Sequence, residues 1–162
     1  MRLESVDGHF VELIVTGYQF GRGQSTGSDV DWDANWLMIR GKAWDGDHSW
    51  QFHDPCMTTW EARELATWLR GLGNARPQTV AAAKPDESTL WLTEPNLTFA
   101  VDRASHGTSA VAVYFNAESR PPTGSNDDGV GRGHRVRLTI PQADLAEAVG
   151  GWEEELRSFP VR

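Results

Sequence analysis

The chain has 162 residues, the size of one ordinary domain, and its 39 % apolar and 23 % charged residues are typical of a soluble globular protein. Lys and Arg number 15 against 23 Asp and Glu, a net charge of −8, which argues against nucleic acid or an anionic membrane as the main partner and allows a basic protein. A single Cys, no apolar leader and no apolar run long enough to span a bilayer predict a cytoplasmic protein.

Three strands are predicted in the first third of the chain. Phe10–Thr16 is apolar on nearly both faces, so we expect it inside a sheet rather than at an edge. Trp36–Trp44 alternates between apolar and polar residues, which predicts one buried and one exposed face. Asp45-Gly46-Asp47 favours a tight turn into a third strand, Ser49–His53, because Asp-Gly between two alternating runs is a strong hairpin signal.

A helix is predicted near residues 58–72. Thr58 and Glu61 have the spacing of a capping box, in which each side chain accepts a hydrogen bond from the other residue's backbone N–H. Apolar residues then recur at intervals of three and four, which predicts one face against a core; they are Leu65, Trp68, Leu69 and Leu72. Gly71 and Gly73 are expected to end this helix.

The second half of the chain predicts four more strands and a helix. The strands are Thr89–Thr93, Leu97–Asp102, Ser109–Phe115 and Arg135–Ile140, and we expect them to complete the same sheet. The helix, near 142–158, has one apolar face formed by Leu145, Val149, Trp152, Leu156 and Phe159. Gly150-Gly151 in its middle predicts either a bend or close packing against the bare backbone.

Together these elements predict an α+β fold, with a mainly antiparallel twisted β-sheet of about six to seven strands and two α-helices, near 58–72 and 142–158. The strand order stays open between a sandwich, a barrel and a helix-backed sheet. We expect a single domain over residues 1–162, with mobile loops at 21–33, 74–88 and 116–133, where Gly, Ser or Pro is frequent.

Two groups of possible metal ligands do not complete a motif. Asp29, Asp31 and Asp33 resemble the start of a calcium loop, but Ala34 stands where the turn needs Gly and Arg40 where a bidentate Glu is needed. A zinc site could draw on His48, His53, Asp45, Asp47 and Asp54. The two His are five residues apart and so face opposite sides of a strand, and we expect no metal.

Two other segments resemble catalytic or phosphate-binding motifs only in part. Cys56 lies three residues after His53, with Asp54 as a possible orienting group, but Cys–His pairs usually come from distant segments, so we expect a buried structural Cys. The glycine-rich run 129–133 precedes a predicted strand, whereas phosphate-binding glycines open a helix. We therefore predict no catalytic residues, no cofactor and no enzyme.

Eight Trp residues are an unusually large number for this length. They occupy positions 32, 36, 44, 50, 60, 68, 91 and 152. A buried indole N–H needs an acceptor, so most are expected in the core and some half-exposed. One or two of them could anchor a partner, because Trp is enriched at interface hot spots.

A series of short motifs runs along nearly the whole chain. They are Glu12-Leu13, Gly17-Tyr18-Gln19-Phe20, Asn35-Trp36-Leu37, Asp54-Pro55-Cys56, Thr59-Trp60-Glu61, Leu65-Ala66, Trp68-Leu69, Glu94-Pro95-Asn96-Leu97, Phe99, Glu118, Pro121-Pro122 and Phe159-Pro160. In order and spacing this series resembles the WapI-family immunity proteins, small bacterial proteins common in actinobacteria. The chain departs from the family at Gly21, where Pro is expected, and at Thr123, where Trp is expected.

The resemblance implies a non-enzymatic antitoxin that neutralises the nuclease domain of a contact-dependent toxin. Such a domain is basic because it holds phosphate backbones, so an acidic protein can occlude it, with opposite charge raising the association rate. The segment from Asp29 to Asp54 carries six Asp against two cations, a net charge of −4. The expected contact residues are Asp29, Asp31, Trp32, Asp33, Trp44, Asp45 and Asp47, with the two Trp as anchors.

Two other functions stay open at this point. The alternative is a small-molecule or carbohydrate-binding module with a Trp-lined sheet face, and the third is a hydrolase or transferase that uses Cys56 and His53. A neighbouring gene for a large secreted toxin favours the immunity protein. A shift of Trp fluorescence with small molecules, but not with basic proteins, favours the binding module. The sequence indicates neither the toxin nor the oligomeric state.

Overall fold

A computed structural model describes residues 1–21, 31–74, 89–102, 107–122 and 133–162. Their secondary structure comprises β1 (Arg2–Glu4), β2 (Phe10–Tyr18), β3 (Trp36–Trp44), β4 (Ser49–Thr58), α1 (Thr59–Asn74), β5 (Thr89–Trp91), β6 (Leu97–Val101), β7 (Thr108–Phe115), β8 (His134–Pro141) and α2 (Gln142–Leu156), with short 3-10 helices at Asp33–Asn35 and Ala117–Ser119. All paired strands are antiparallel. The predicted α+β class, with its two α-helices, is confirmed.

The described strands form two sheets of four, in the orders β1-β2-β3-β4 and β5-β6-β7-β8. The predicted interior position of β2 is confirmed. The expectation that the second half completes the same sheet is wrong, because β1 pairs with the free side of β2 and β4 forms the other edge. The sheets meet instead at one corner, where the Val6 N–H donates to the Thr139 carbonyl (2.9 Å) and the Thr139 N–H donates to Ser5 Oγ (2.9 Å).

The main hydrophobic core of the described residues lies between the two sheets and the two helices, and a small second cluster comprises Ala100, Ala112 and Tyr114. The Phe115 ring of β7 contacts Trp50 and Phe52 of β4, with ring centroids 5.0 and 6.0 Å apart. Two fully or nearly buried indoles have the acceptors that burial requires. Trp50 Nε1 donates to the Ser119 carbonyl, and Trp152 Nε1 of α2 donates to the Ala62 carbonyl of α1, each at 2.8 Å.

The predicted start of the first helix is confirmed and its predicted end is wrong. The Thr58 N–H donates to Glu61 Oε2 (2.7 Å), and the Glu61 N–H donates to Thr58 Oγ1 (3.3 Å), as in a capping box. The other carboxylate oxygen of Glu61 accepts the Thr93 N–H at 2.5 Å, which ties the second sheet to this helix end. The helix continues through Gly71 and Gly73 to Asn74.

The strand predicted at Ser49–His53 is β4 in the structure, and it is longer than predicted. It continues past His53 through Pro55 to Thr58, with a register shift opposite Leu37 and Met38 that leaves Cys56 as the extra residue of a bulge. An edge strand tolerates Pro there because the missing N–H removes no bond from the centre of a sheet. The outcome is that the motif Asp54-Pro55-Cys56 belongs to a strand.

Glycines play different roles in β3 and in α2. At Gly41, a Cβ would lie 1.9 Å from Cζ of Phe52, so the Phe ring occupies the space that a side chain would need. At Gly150 and Gly151, both exposed, a Cβ would meet no described atom within 4 Å. The helix runs unbroken over these two residues, and close packing by another part of the described chain is not found. Each costs about 1 kcal/mol relative to Ala.

Much of the predicted loop regions lies outside the described residues, namely 22–30, 75–88 and 123–132. The mobile loops and the single domain therefore stay predictions. Within residues 116–122, Ser119 is buried, and its Oγ donates to the Asn96 carbonyl at 2.5 Å. Neither described helix is both long and apolar enough to cross a membrane.

Candidate partner-binding surface

The residues predicted to contact a partner lie at opposite ends of β3. Asp31, Trp32 and Asp33 precede this strand, whereas Trp44, Asp45 and Asp47 lie at its other end and in the hairpin turn. Nine residues at about 3.3 Å per residue separate the two ends by roughly 27 Å. Asp29 lies outside the described residues. The acidic segment therefore forms two separate surfaces instead of one.

At the first end, Trp32 is an exposed side chain that leans on another indole. It is 64 % exposed, and its ring centroid lies 4.7 Å from that of Trp60, with an angle of 49° between the rings. Trp60 is half-buried in the first turn of α1, so this contact gives the exposed ring a fixed support. The neighbours of Trp32 in the sequence are Asp31, which is half-buried, and Asp33, which is exposed.

Asn35, which is fully buried, positions this end of the molecule. Its Nδ2 donates to the carbonyls of Asp31 (2.7 Å) and Arg162 (2.9 Å), and its Oδ1 accepts from Thr59 Oγ1 and the Arg162 N–H, each at 2.9 Å. The amide thus joins the segment before β3, the start of α1 and residue 162. Sequence reasoning did not single out Asn35 or Trp60 as site residues, although both belong to the quoted motifs.

At the hairpin end, the Asp45 carboxylate is bound within the protein. Oδ1 accepts the N–H groups of Asp47 (2.9 Å) and His48 (2.6 Å), and Oδ2 lies 2.7 Å from His134 Nε2. Burial raises the pKa of Asp45, but these hydrogen bonds outweigh burial and hold the pKa below its usual value. Its side chain is only 9 % exposed, so it offers little surface to a partner.

His134 is the buried partner of that carboxylate. Because a carboxylate only accepts, the proton on His134 is assigned to Nε2, and within the described part of the chain Nδ1 has no hydrogen-bond partner. The ring packs edge-on against Trp50, with centroids 5.1 Å apart. The sequence signal for its burial is the alternation of residues along β8. His134 is an even number of residues from Val136, Leu138 and Ile140 and so shares their buried face.

The two remaining predicted residues are more accessible. Trp44 is half-buried at the end of β3, where it pairs with Phe10, and Asp47 is exposed in the turn. The positive φ of Gly46, +100°, forms that turn and confirms the role predicted for Asp-Gly. This end therefore offers one partly covered indole and one exposed carboxylate.

The chain matches the Immunity protein WapI-like family over residues 2–160. It belongs to this family. Membership confirms the resemblance on which the sequence interpretation rested, and it gives the chain an immunity role with a toxin protein as partner. Neither the curated proteins nor the solved structures contain a significant match.

In this WapI-like immunity protein, the five residues considered as possible zinc ligands do not form one group. His48 Nδ1 lies 3.4 Å from Asp45 Oδ2, whereas the exposed His53 faces Thr16, with Nε2 2.8 Å from Oγ1. Among the residues that the structure describes, no group of three or more His, Cys, Asp or Glu side chains could hold a metal ion. Asp31 instead accepts the Ala34 N–H at 3.2 Å and so shapes the short helix before β3.

Cys56 of this family member is a buried thiol, as predicted. Burial raises its pKa to about 12, so it is protonated at neutral pH and is a poor nucleophile. Its Sγ donates to the Asp54 carbonyl at 3.4 Å, whereas His53 bonds Thr16 on the exposed face. Of the glycine-rich run 129–133, only Gly133 lies within the described residues.

Proposed function

We propose that this immunity protein binds the basic nuclease domain of its cognate toxin in the bacterial cytoplasm and covers the active site, as part of a contact-dependent inhibition system. The observation that carries the proposal is the exposed Trp32 ring, supported by Trp60 and flanked in the sequence by Asp31 and Asp33. Aromatic anchors of this kind supply much of the affinity at protein interfaces, and carboxylates at the rim attract a basic partner.

The proposed contact surface has two parts of unequal weight. The main part is the Trp32 end, formed by Asp31, Trp32 and Asp33, and the second part is Trp44 with Asp47 at the hairpin. Asp29, outside the described residues, stays a contact predicted from the sequence alone. Asp45 holds the hairpin through its internal hydrogen bonds and contributes little direct contact. The net charge of −8 steers a basic domain toward either part.

Inhibition by occlusion needs no reactive group on the immunity protein. The candidate nucleophile Cys56 is buried and protonated, which fits this mode of action. The alternative, a ligand-binding face lined by Trp, is not favoured by a specific observation. The exposed indoles are far apart in the fold, since Trp32 precedes β3 of the first sheet and Trp91 lies in β5 of the second. Neither the groove between the N-terminal residues and α2 nor the one between α1 and α2 is lined by Trp.

The test uses the full chain and candidate toxin domains from the same genome, starting with any that is encoded beside the gene for this chain. Binding is measured by calorimetry, and inhibition by the toxin's cleavage of DNA and RNA. We expect Trp32→Ala to weaken binding about 30-fold, equivalent to about 2 kcal/mol, because truncating an interface anchor has effects of this size. The association rate should fall as salt rises, because the attraction is between opposite charges.

Trp91→Ala is the matched control, because Trp91 is 63 % exposed, close to the exposure of Trp32, but lies on β5 of the other sheet. It should leave the affinity within about twofold. A wild-type chain that neither binds nor inhibits any of these toxin domains would refute the proposal. Equal losses from Trp32→Ala and Trp91→Ala would refute the assigned surface while leaving the inhibition intact.

A further inference from the structure

A surface groove of about 610 Å³ lies between residues 1–6 and α2, and none of the residues of the proposed contact surface lines it. Its lining includes the acids Glu4, Asp144 and Glu147, the apolar Val6, and the small residues Ala148 and Gly151. The cation Arg2 also lines it and is paired with Glu4 and Glu12. Val6 is 68 % exposed, a large apolar side chain left open to solvent beside the groove. The groove is thus a recess with both an apolar and a charged wall.

The α2 wall of this groove is a single face of the helix. Asp144, Glu147, Ala148 and Gly151 follow the spacing i, i+3, i+4 and i+7, which places them in one row. The two carboxylates form no ion pair with any residue that the structure describes, whereas Glu4 across the groove is paired with Arg2 (2.7 Å). The row therefore has carboxylates at its N-terminal end and small residues, with little or no side chain, at its C-terminal end.

Gly151 has no internal reason to be glycine. It is helical, and a Cβ there would meet no described atom within 4 Å, so Ala would fit without strain and would favour the helix. Because Gly has no Cβ, the main chain of another molecule can approach the helix backbone more closely at this position than at a residue of any other type. The bare position and the free carboxylates together indicate a basic segment as the occupant.

We propose that this groove binds an extended Lys- or Arg-bearing segment of the toxin domain, with its main chain over Ala148 and Gly151 and its cations at Asp144 and Glu147. The proposal rests on the proposed function and adds a second contact surface to it. The toxin is the expected occupant because a basic partner matches the two carboxylates that pair with no described residue. The exposed Val6 supplies an apolar contact for the same segment.

The decisive experiment compares Gly151→Ala with Gly150→Ala in the full chain. Both residues are exposed and helical with open space at Cβ, but only Gly151 lines the groove. We expect each substitution to raise Tm by about 2–4 °C, since Ala favours a helix over Gly. Gly151→Ala should also weaken calorimetric binding of the toxin domain about tenfold, because the methyl group enters the contact, whereas Gly150→Ala should leave the affinity unchanged.

A second pair tests the charge of the groove. Glu147→Gln should lower the affinity about fivefold, mainly through the association rate, whereas Glu118→Gln, an exposed acid on the 3-10 helix Ala117–Ser119, should change it less than twofold.

The outcomes separate the two proposals. If the wild-type chain binds the toxin domain but Gly151→Ala and Glu147→Gln bind as well as their controls, the groove is not a contact surface and the proposed function stands. If the wild-type chain does not bind the toxin domain, both proposals are overturned. A more stable Gly151→Ala protein with weaker binding supports the groove, because loss of folding cannot cause that combination.

Discussion

The two ends of β3 carry similar sequences, each with Asp residues beside a Trp, and yet differ in what they present to solvent. Before the strand, Trp32 is exposed and Asp33 is free at the surface. At the other end, Trp44 is half-buried, and the Asp45 carboxylate accepts hydrogen bonds from two backbone N–H groups and from the buried His134. Charge counted along a segment therefore overstates the charge available to a partner. On the function proposed above, the first end contributes mainly to recognition, whereas the internal bonds of Asp45 make the second end contribute mainly to stability.

The largest effect is expected at Asp45, where a substitution tests whether the hairpin end depends on the internal carboxylate for stability. Asp45→Ala leaves the His134 N–H and two turn N–H groups without their acceptor, so it should lower the free energy of unfolding by about 3 kcal/mol. Asp47→Ala, two residues away and exposed, should change it by less than about 0.5 kcal/mol. Urea unfolding followed by Trp fluorescence measures both. Similar values for the two variants would show that the hairpin end does not depend on the internal carboxylate.

A smaller effect sharpens the assignment of the first end. If Trp60 supports Trp32 for partner binding, the two indoles should be coupled in a double-mutant cycle of toxin affinity by about 1 kcal/mol, the size expected for an aromatic pair. Calorimetry of Trp32→Ala, Trp60→Ala and the double variant gives the coupling. Strictly additive losses would mean that the ring contact contributes nothing to recognition.

The smallest effect concerns pH. The folded-state pKa of Asp45 lies below its usual value of about 4, so its ionised form stabilises the protein above that value, and this contribution is lost as pH falls through the folded pKa. The stability gap between wild type and Asp45→Ala should thus narrow by less than about 1 kcal/mol from pH 5 to pH 3. Unfolding curves at both pH values test the sign. A gap that widens toward pH 3 would contradict it.

Local patterns in the sequence predicted most of the elements, because each depends on neighbouring residues. The Thr58–Glu61 capping box, the Asp45-Gly46 turn and the buried alternation of β3 all form as expected. The pairing of β1 with β2 was not predictable in this way, since a three-residue strand carries almost no periodicity. If β1 is not recognised, the sequence pattern does not show that the outer edge of β2 is already paired and cannot bind a strand from the second half of the chain.

The candidate site was predicted in composition but not in geometry. Asp45 belongs to the hairpin interior because His134, 89 residues later, reaches it across the two sheets. Trp32 and Trp60 meet because Asn35 joins the segment before β3 to the start of α1. These are long-range contacts, and no spacing rule along the chain relates the residues that make them.

The Phe52 ring occupies the space that a side chain at Gly41 would need, and this restricts which residues the fold accepts at both positions. The two positions share one volume, so neither can enlarge unless the other shrinks. Gly41→Ala alone should be strongly destabilising, and Phe52→Leu beside it should recover part of the loss. Homologous chains with a larger residue in place of Gly41 should therefore carry a smaller one in place of Phe52, a covariation between the inner strand β3 and the edge strand β4.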